Sequence, residues 1–491
     1  MTYINSFRYQ NWLMPQSIQD MIPNNHICFF VEEFVDSLDF TNFDMIYEGA
    51  GHPAYHPRIV MKIIIQGMLC KERSSRKLAS ACRENFVFMY LAEKVQPNFR
   101  TIARFRRDNK EFVKEAFKET IKLASKNDLV DLNLICIDGT TLRANASKRG
   151  YVNKNQLSFL DSIIDKMIEE DIQIDEVDIQ IESSEENLTK LDKKNLKNLV
   201  REYKRCKNKK EFKAKVNKAK EEFSKEEDLK SASLSDSESR MMHIKEGTIN
   251  PSYNAQLGVD SKNQIILSND VCQDRHDAHQ FIPQMKNIKQ NVNLKADVKV
   301  AVDCAYGNGI NLQFGEEEHI DLYVPNKAQA QRLDSREENI SLDNYEYDEE
   351  KNEIIIGEAR LKQKYFFRRN RDGKGFFTFK SEDGKIVKQV PEFFKERLRM
   401  KKKMETEDGK KIFGKRKTIV EPAIGNIKEN LGFRGFYLRG LEGAKIELNI
   451  ASITHNLKKI WFARGRVGKN NEMITFNLII ENNQINCDPA C

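Results

Sequence analysis

The sequence predicts a mixed α/β fold behind an all-helical N-terminal region, and three observations carry that expectation. Residues 1–130 show helix-period apolar patterning. Short apolar runs bounded by turn residues follow, and two of them, LNLICID and VKVAVD, end in aspartate. Between them, residues 155–232 carry dense mixed charge with almost no glycine or proline. A chain of 491 residues is long enough for two or three domains and a sizeable core.

Within 1–130, Pro57 suits the first turn of a helix whose body is IVMKIIIQGML. Ser74 and Ser75 can cap RKLASACREN. A further helix is predicted through RTIARFRRDNKEFVKEAFKETIKLAS, with Arg100, Arg104 and Arg107 on one face and Ile102, Phe105 and Val113 on another. Short helices, one with an arginine stripe, resemble a helix-turn-helix unit, although a solvated basic face on a bundle reads the same way. Asp138-Gly139 reads as a turn after a strand. The 155–232 stretch reads as an inserted helical hairpin with apolar stripes at Ile163, Ile164, Met167 and Ile168 and at Phe212, Val216, Ala219 and Phe223. YNAQLGVD and NQIILSNDV are predicted as adjacent strands, Asp277 as the cap of a helix through FIPQMKNI, and LYVPN as one more strand. Residues 332–416 lack clear periodicity and turn basic, and a last helical section is predicted from about Thr418.

Composition excludes several classes. The hydrophobic fraction of 40% is that of a globular protein, and no apolar stretch is long enough to span a bilayer. Nine scattered cysteines form no C-x-x-C pair, which argues against a structural zinc site and for reduced thiols in a cytoplasm. Lys and Arg (81) exceed Asp and Glu (74), and a net charge of +7 leans towards a polyanionic partner.

Two strands ending in aspartate suggest one shared site. Phosphodiester chemistry uses two divalent metals held by hard carboxylate oxygens brought together from distant segments. Asp138 and Asp303 fit that need, and Glu421 is the best third carboxylate. Glu447 is a rival, but it sits in IELNIASI, where a packing helix is simpler. His276 and His279, in DRHDAHQ, form a metal-like patch without a third histidine nearby.

The chain resembles the DDE transposases of bacterial insertion sequences, most closely the insertion sequence 1182 group. The likeness runs through Y-x-P from Tyr55, RSSRKLA from Arg73 and RTIARFRRDN from Arg100. It continues through IDGT with Asp138, DSESRMM from Asp236, YNAQLGVD from Tyr253, VDCAYGNG with Asp303, and VEPAIGNIKENLGFRGFYLRGLEGAKIELNIASITHNLKKI. It implies an RNase H-like α/β catalytic domain over 131–465, with insertions at 145–250 and 332–416. A helical DNA-binding or assembly domain over 1–130 precedes it, and a tail over 466–491 follows.

The resemblance further implies that Asp138, Asp303 and Glu421 hold two Mg2+ or Mn2+ ions. Element ends would be cleaved and the freed 3′-hydroxyl joined to target DNA, with no covalent protein intermediate and no ATP. Implied partners are double-stranded DNA (terminal inverted repeats and target) and a second copy in a homodimer, in a bacterial cytoplasm at the nucleoid, with no membrane. Glu421 opens an E-x6-K signature completed by Lys428, and seven helical residues set both on one face. Arg73, Arg76, Arg100, Arg104, Arg107, Lys417 and Lys428 are the expected DNA contacts. The sequence departs from the signature at Gly414 and Lys417, where tyrosine and arginine are common, although Arg416 is adjacent; lysine lacks the bidentate fork. Cys304 and Ala305 also depart from the common pattern, and 332–416 contains no cysteine cluster. Two other classes stay open: a catalytically idle DNA-binding protein, and a nuclease that cuts without joining.

Overall fold

A computed structural model describes residues 17–47, 54–169, 174–184, 188–244, 247–327, 329–330, 345–369 and 373–467. The tail expected over 466–491 lies almost wholly outside them, as does the start of the 332–416 segment. The chain divides into a helical unit (1–127, 427–433 and 449–491) and a sheet unit (128–426 and 434–448).

The helical unit begins with α1 (Ile27–Asp36), α2 (Thr41–Tyr47), α3 (Pro57–Leu69), α4 (Ser75–Glu84), α5 (Phe86–Leu91), α6 (Phe99–Asp108) and α7 (Lys110–Lys126). Pro57 does occupy the first turn of α3. Lys62, inside that apolar helix, is 1% exposed and donates to Asp36 at 2.8 Å, so its charge is buried but answered. Ser74 stands at the cap of α4 without a side-chain cap bond. The single helix expected from Arg100 onward is two helices. Asn109 leaves helical geometry, and its Nδ2 donates to the Phe105 carbonyl, closing α6 at 2.8 Å.

In the sheet unit, β1 (Leu134–Arg143), β5 (Ile249–Asp260) and β6 (Ile266–Cys272) form an antiparallel meander. On the other side of β1, β7 (Lys299–Val302) and then β8 (Asp321–Tyr323) pair in parallel. The short β4 (Arg240–His243) pairs with β5. Helix α12 (Phe281–Asn291) leads from β6 into β7, and α13 (Gly309–Glu317) links the parallel β7 and β8. Both faces of β5 are buried along most of its length.

Four expectations change here. Asp138-Gly139 is not a turn: β1 continues to Arg143, because Asp138 through Arg143 all keep antiparallel partners on β5. The hairpin at 155–232 is four helices, α8 (Lys154–Glu169), α9 (Ile174–Ser183), α10 (Lys190–Arg205) and α11 (Lys209–Lys225). They enclose their own apolar core and are closed by the pair β2 (Tyr151–Val152) and β3 (Ala232–Ser233). A capping box between Thr189 and Asp192 starts α10. The aperiodic 332–416 segment contains a five-stranded antiparallel sheet. Its strands are β9 (Glu346–Asp348), β10 (Glu353–Ile356), β11 (Ala359–Arg368), β12 (Gly375–Lys380) and β13 (Val387–Pro391). Then come α14 (Phe394–Glu405), α15 (Glu407–Gly425) and α16 (Leu441–Val467). The start expected near Thr418 moves to Glu407, where the Thr406 hydroxyl accepts from Gly409 N–H at 3.0 Å.

Candidate active site

The register of β1 and β7 builds the site. The last parallel pair is Ile137 with Val302, so Asp138, still within β1, and Asp303, the first residue past β7, follow from neighbouring positions in register. The two residues are held differently. Asp138 keeps its place in the ladder to β5, opposite Leu257. Asp303 leaves β7, and its carboxylate caps a short turn by accepting Cys304 N–H at 2.8 Å.

α15 brings the third carboxylate and a cation. Arg416 Nη1 donates to Asp138 Oδ2 at 2.8 Å, while Nη2 stands 4.0 Å from Asp303 Oδ1 and 3.8 Å from Glu421 Oε1. One guanidinium therefore ties together the three carboxylates that sequence reasoning grouped. Burial pushes the Asp138 carboxyl up to about 6; Arg416 opposes that rise, and the neighbouring Asp303 and Asp277 add to it. Arg416 Nε is buried with no acceptor.

Asp277 has a different place from the one expected. Gln280, not Asp277, stands at the cap of α12, with no side-chain cap bond. Asp277 Oδ1 instead accepts from Asn254 Nδ2 at 2.7 Å and Gln256 Nε2 at 2.5 Å. Tyr306 then donates its hydroxyl to Gln256 Oε1 at 2.5 Å. Tyr306 is raised well above the usual phenol value, first by burial and then by Asp277, Asp138 and Asp303. These polar residues were missed, although one signal was available: Asn254 and Gln256 alternate along an otherwise apolar strand and so share a face.

Gly139 makes the approach of this polar layer possible. A Cβ there would overlap Asp277 Oδ1 and Gln256 Nε2. Gly139→Ala is expected to push the Asp277–Gln256 pair away from Asp138 and to lower thermal stability by roughly 1–3 kcal/mol. Melting measurements on the purified variant check this; an unchanged melting temperature would contradict the close packing.

Oxygen donors and a demand for positive charge are both present, which is the chemistry a hard divalent cation needs. Among the described residues, however, no three of His, Cys, Asp and Glu stand close enough to form a metal cluster, the DRHDAHQ histidines included. As folded here, the guanidinium supplies the countercharge.

Other expected residues are dispersed. Arg73 is buried, with its guanidinium over the Phe433 ring at 4.2 Å. Arg76 and Arg100 both lie over Phe99, at 5.1 and 5.9 Å. Arg104 and Arg107 are exposed on α6, and Arg107 pairs with Asp108 at 2.6 Å. Arg106, which the stripe did not include, is buried and donates to the Arg73 carbonyl and Ser75 Oγ, tying α6 to α4. Lys417 is exposed on α15. Lys428 lies in a π-helical turn, Asn426–Asn430, where the 3.6-residue spacing behind the shared-face expectation does not hold. Glu447 is buried and accepts the backbone N–H of Tyr437 and Leu438, a loop-holding role. In DSESRMM, Asp236 accepts from Gly440 N–H and Glu238 from Leu441 N–H, which fixes the start of α16.

Among the described residues no helix is long and apolar enough to cross a membrane. No curated protein matches the chain. Two family models do. Residues 16–108 match the transposase domain DUF772, and residues 378–461 match a transposase DDE domain. The second stretch includes Arg416 and Glu421 but neither Asp138 nor Asp303, whose pairing rests on sheet register. Both matched models are transposase domains, one near the N-terminal end of the chain and one of the DDE type towards its other end.

Proposed function

We infer that this chain is an insertion-sequence transposase that cleaves phosphodiesters at its element's ends and joins the 3′-hydroxyl to target DNA. The observation that carries the reading is the convergence of Asp138, Asp303 and Glu421 on Arg416 at 2.8–4.0 Å. An RNase H-like catalytic domain is supported by the strand order β6–β5–β1–β7–β8, antiparallel through β1 and parallel after it. On this reading 1–130 is the DNA-binding and assembly domain, 131–465 the catalytic domain, and the working form a dimer that joins two ends. The closer kinship to the insertion sequence 1182 group, and cytoplasmic residence, remain part of the proposal.

Asp138, Asp303 and Glu421 would hold two Mg2+ or Mn2+ ions. Bound there, such ions supply activation of the attacking oxygen and stabilisation of the leaving oxygen. The protein's own residues do the rest. Strands β1 and β7 fix the two aspartates in register, and the Asp277–Gln256–Tyr306 chain holds the layer behind Asp138. Arg416 keeps the carboxylates together against their repulsion. Lys417, Lys428 and the exposed arginines of α4 and α6 are the proposed phosphate contacts.

The test is incubation of the full chain with Mg2+ and a duplex ending in the inverted repeats that flank its gene, together with a target plasmid. Cleaved ends joined to the plasmid are expected. Cleavage without joining would make the protein a nuclease, and binding without cleavage an idle DNA-binding protein.

A further inference from the structure

A second polar feature of the sheet unit lies away from the carboxylates. A cleft of about 1090 Å³ opens between the segment after β1, α10, α11 and the loop 434–439. Its walls carry five cationic side chains, Arg149, Arg201, Arg205, Lys215 and Arg439, against one carboxylate, Glu202. Two of the five are answered: Arg201 by Asp178 at 2.9 Å and Lys215 by Glu211 at 3.1 Å. Arg149, Arg205 and Arg439 are exposed and form no ion pair among the described residues.

The cleft is built, not incidental. Phe436 N–H donates to the Arg143 carbonyl at 2.8 Å, and Asn145 Nδ2 donates to the Tyr437 carbonyl at 2.5 Å. Gly435 lies so close to β1 that a Cβ would stand 2.8 Å from the Arg143 carbonyl oxygen. The loop is thereby stitched to the end of β1. The opposite wall is the four-helix insertion, which has its own packed core. Cations from three separate segments thus face one concavity, Arg149 and Arg205 without a carboxylate partner and Arg439 within electrostatic reach of buried Asp236, an arrangement that focuses positive potential.

Distance favours a long polyanion over a small one. Ala144, at the near edge, is six residues beyond Asp138, roughly 20 Å along the chain at strand spacing. That is about six base-pair steps of duplex DNA. Asn198 adds an amide donor of the kind that commonly contacts sugar and phosphate, whereas Asn145 and Asn195 donate to the Tyr437 and Tyr151 carbonyls and hold the wall in place.

We propose that this cleft grips the backbone of duplex DNA flanking the scissile position, with Arg149, Arg205 and Arg439 as its phosphate contacts. Only the placement relative to the carboxylates rests on the transposase reading; the demand for a polyanion does not. The site is absent from any motif because its cations are scattered over 290 residues of sequence, roughly the separation of Arg149 from Arg439.

The experiment is fluorescence anisotropy with the full chain in EDTA, using a labelled 30-base-pair duplex of mixed sequence across a KCl series. For Arg149→Ala/Arg205→Ala/Arg439→Ala, three lost contacts should reduce the slope of log affinity against log salt by about 2–3, with affinity at least tenfold weaker near 0.15 M. A control, Lys190→Ala/Lys194→Ala/Lys210→Ala, removes equal charge from the four-helix insertion outside the cleft and should change the slope little. An unchanged slope for the arginine variant, with a native circular dichroism spectrum, overturns the proposal. So does an equal loss in the lysine control, failure of the wild type to bind the duplex, or binding confined to single-stranded RNA. A wild type that cleaves and joins element ends while the slope is unchanged would defeat the cleft alone. A changed slope in a chain that cannot cleave would defeat the transposase reading alone.

Discussion

Arg416→Ala is expected to destabilise the metal-free protein by on the order of 3 kcal/mol at pH 7.5, and millimolar Mg2+ is expected to restore much of that. The guanidinium is 11% exposed and the Asp138 side chain 17%, so their 2.8 Å contact is made largely away from water. Removing one member of such a pair leaves an uncompensated buried charge, a loss of about 3–5 kcal/mol. The lower end applies because Asp303 and Glu421 are 39% and 47% exposed, and solvent screens their contacts at 3.8–4.0 Å. The loss should shrink as pH is lowered through about 6, where Asp138 takes up a proton. Melting curves at pH 5 and 7.5, with and without Mg2+, check the magnitude and both dependences.

Asp138→Asn is expected to act in the opposite direction on the metal-free protein. The folded-state carboxyl titrates near 6, above its ordinary 3.8, chiefly because it is buried. Its stabilising contribution is therefore present below about 3.8 and lost as pH rises through 6, a difference on the order of 3 kcal/mol. Asparagine mimics the neutral form, and the Arg416 guanidinium it leaves is still faced by Asp303 at 4.0 Å and Glu421 at 3.8 Å, so no uncompensated charge remains. The variant should melt higher than wild type at pH 7.5, show a flatter stability profile between pH 4 and 6, and no longer be stabilised by Mg2+. A variant that melts lower at pH 7.5 and still responds to Mg2+ would contradict this electrostatic account.

Much of this was legible in the sequence because it follows local rules. Pro57 starts α3, VKVAVD ends at Asp303, and YNAQLGVD pairs with the strand after it, each from patterning within one window. What sequence reading missed depends on pairing between distant segments. Asp138-Gly139 resembles a turn in isolation, but β5 supplies partners that carry β1 on to Arg143. Asp277 resembles a helix cap, yet Asn254 and Gln256 draw it towards Asp138. Arg416 stands one residue from the position where the resembled family commonly has arginine, yet the turn of α15 directs it at the carboxylates. The five strands of 346–391 were invisible because β11 presents mostly exposed residues, with little inward–outward alternation to detect.

The most direct measurement is strand cleavage in Mg2+ of a duplex ending in the element's own terminal repeat, by wild type and by Asp138→Asn, Asp303→Asn and Glu421→Gln in parallel. Cleavage by the wild type is expected, with a loss of at least about a thousandfold in each variant, because each carboxylate would hold the metal ions that stabilise charge developing in the transition state. Cleavage by Asp138→Asn or Asp303→Asn at the wild-type rate would contradict it.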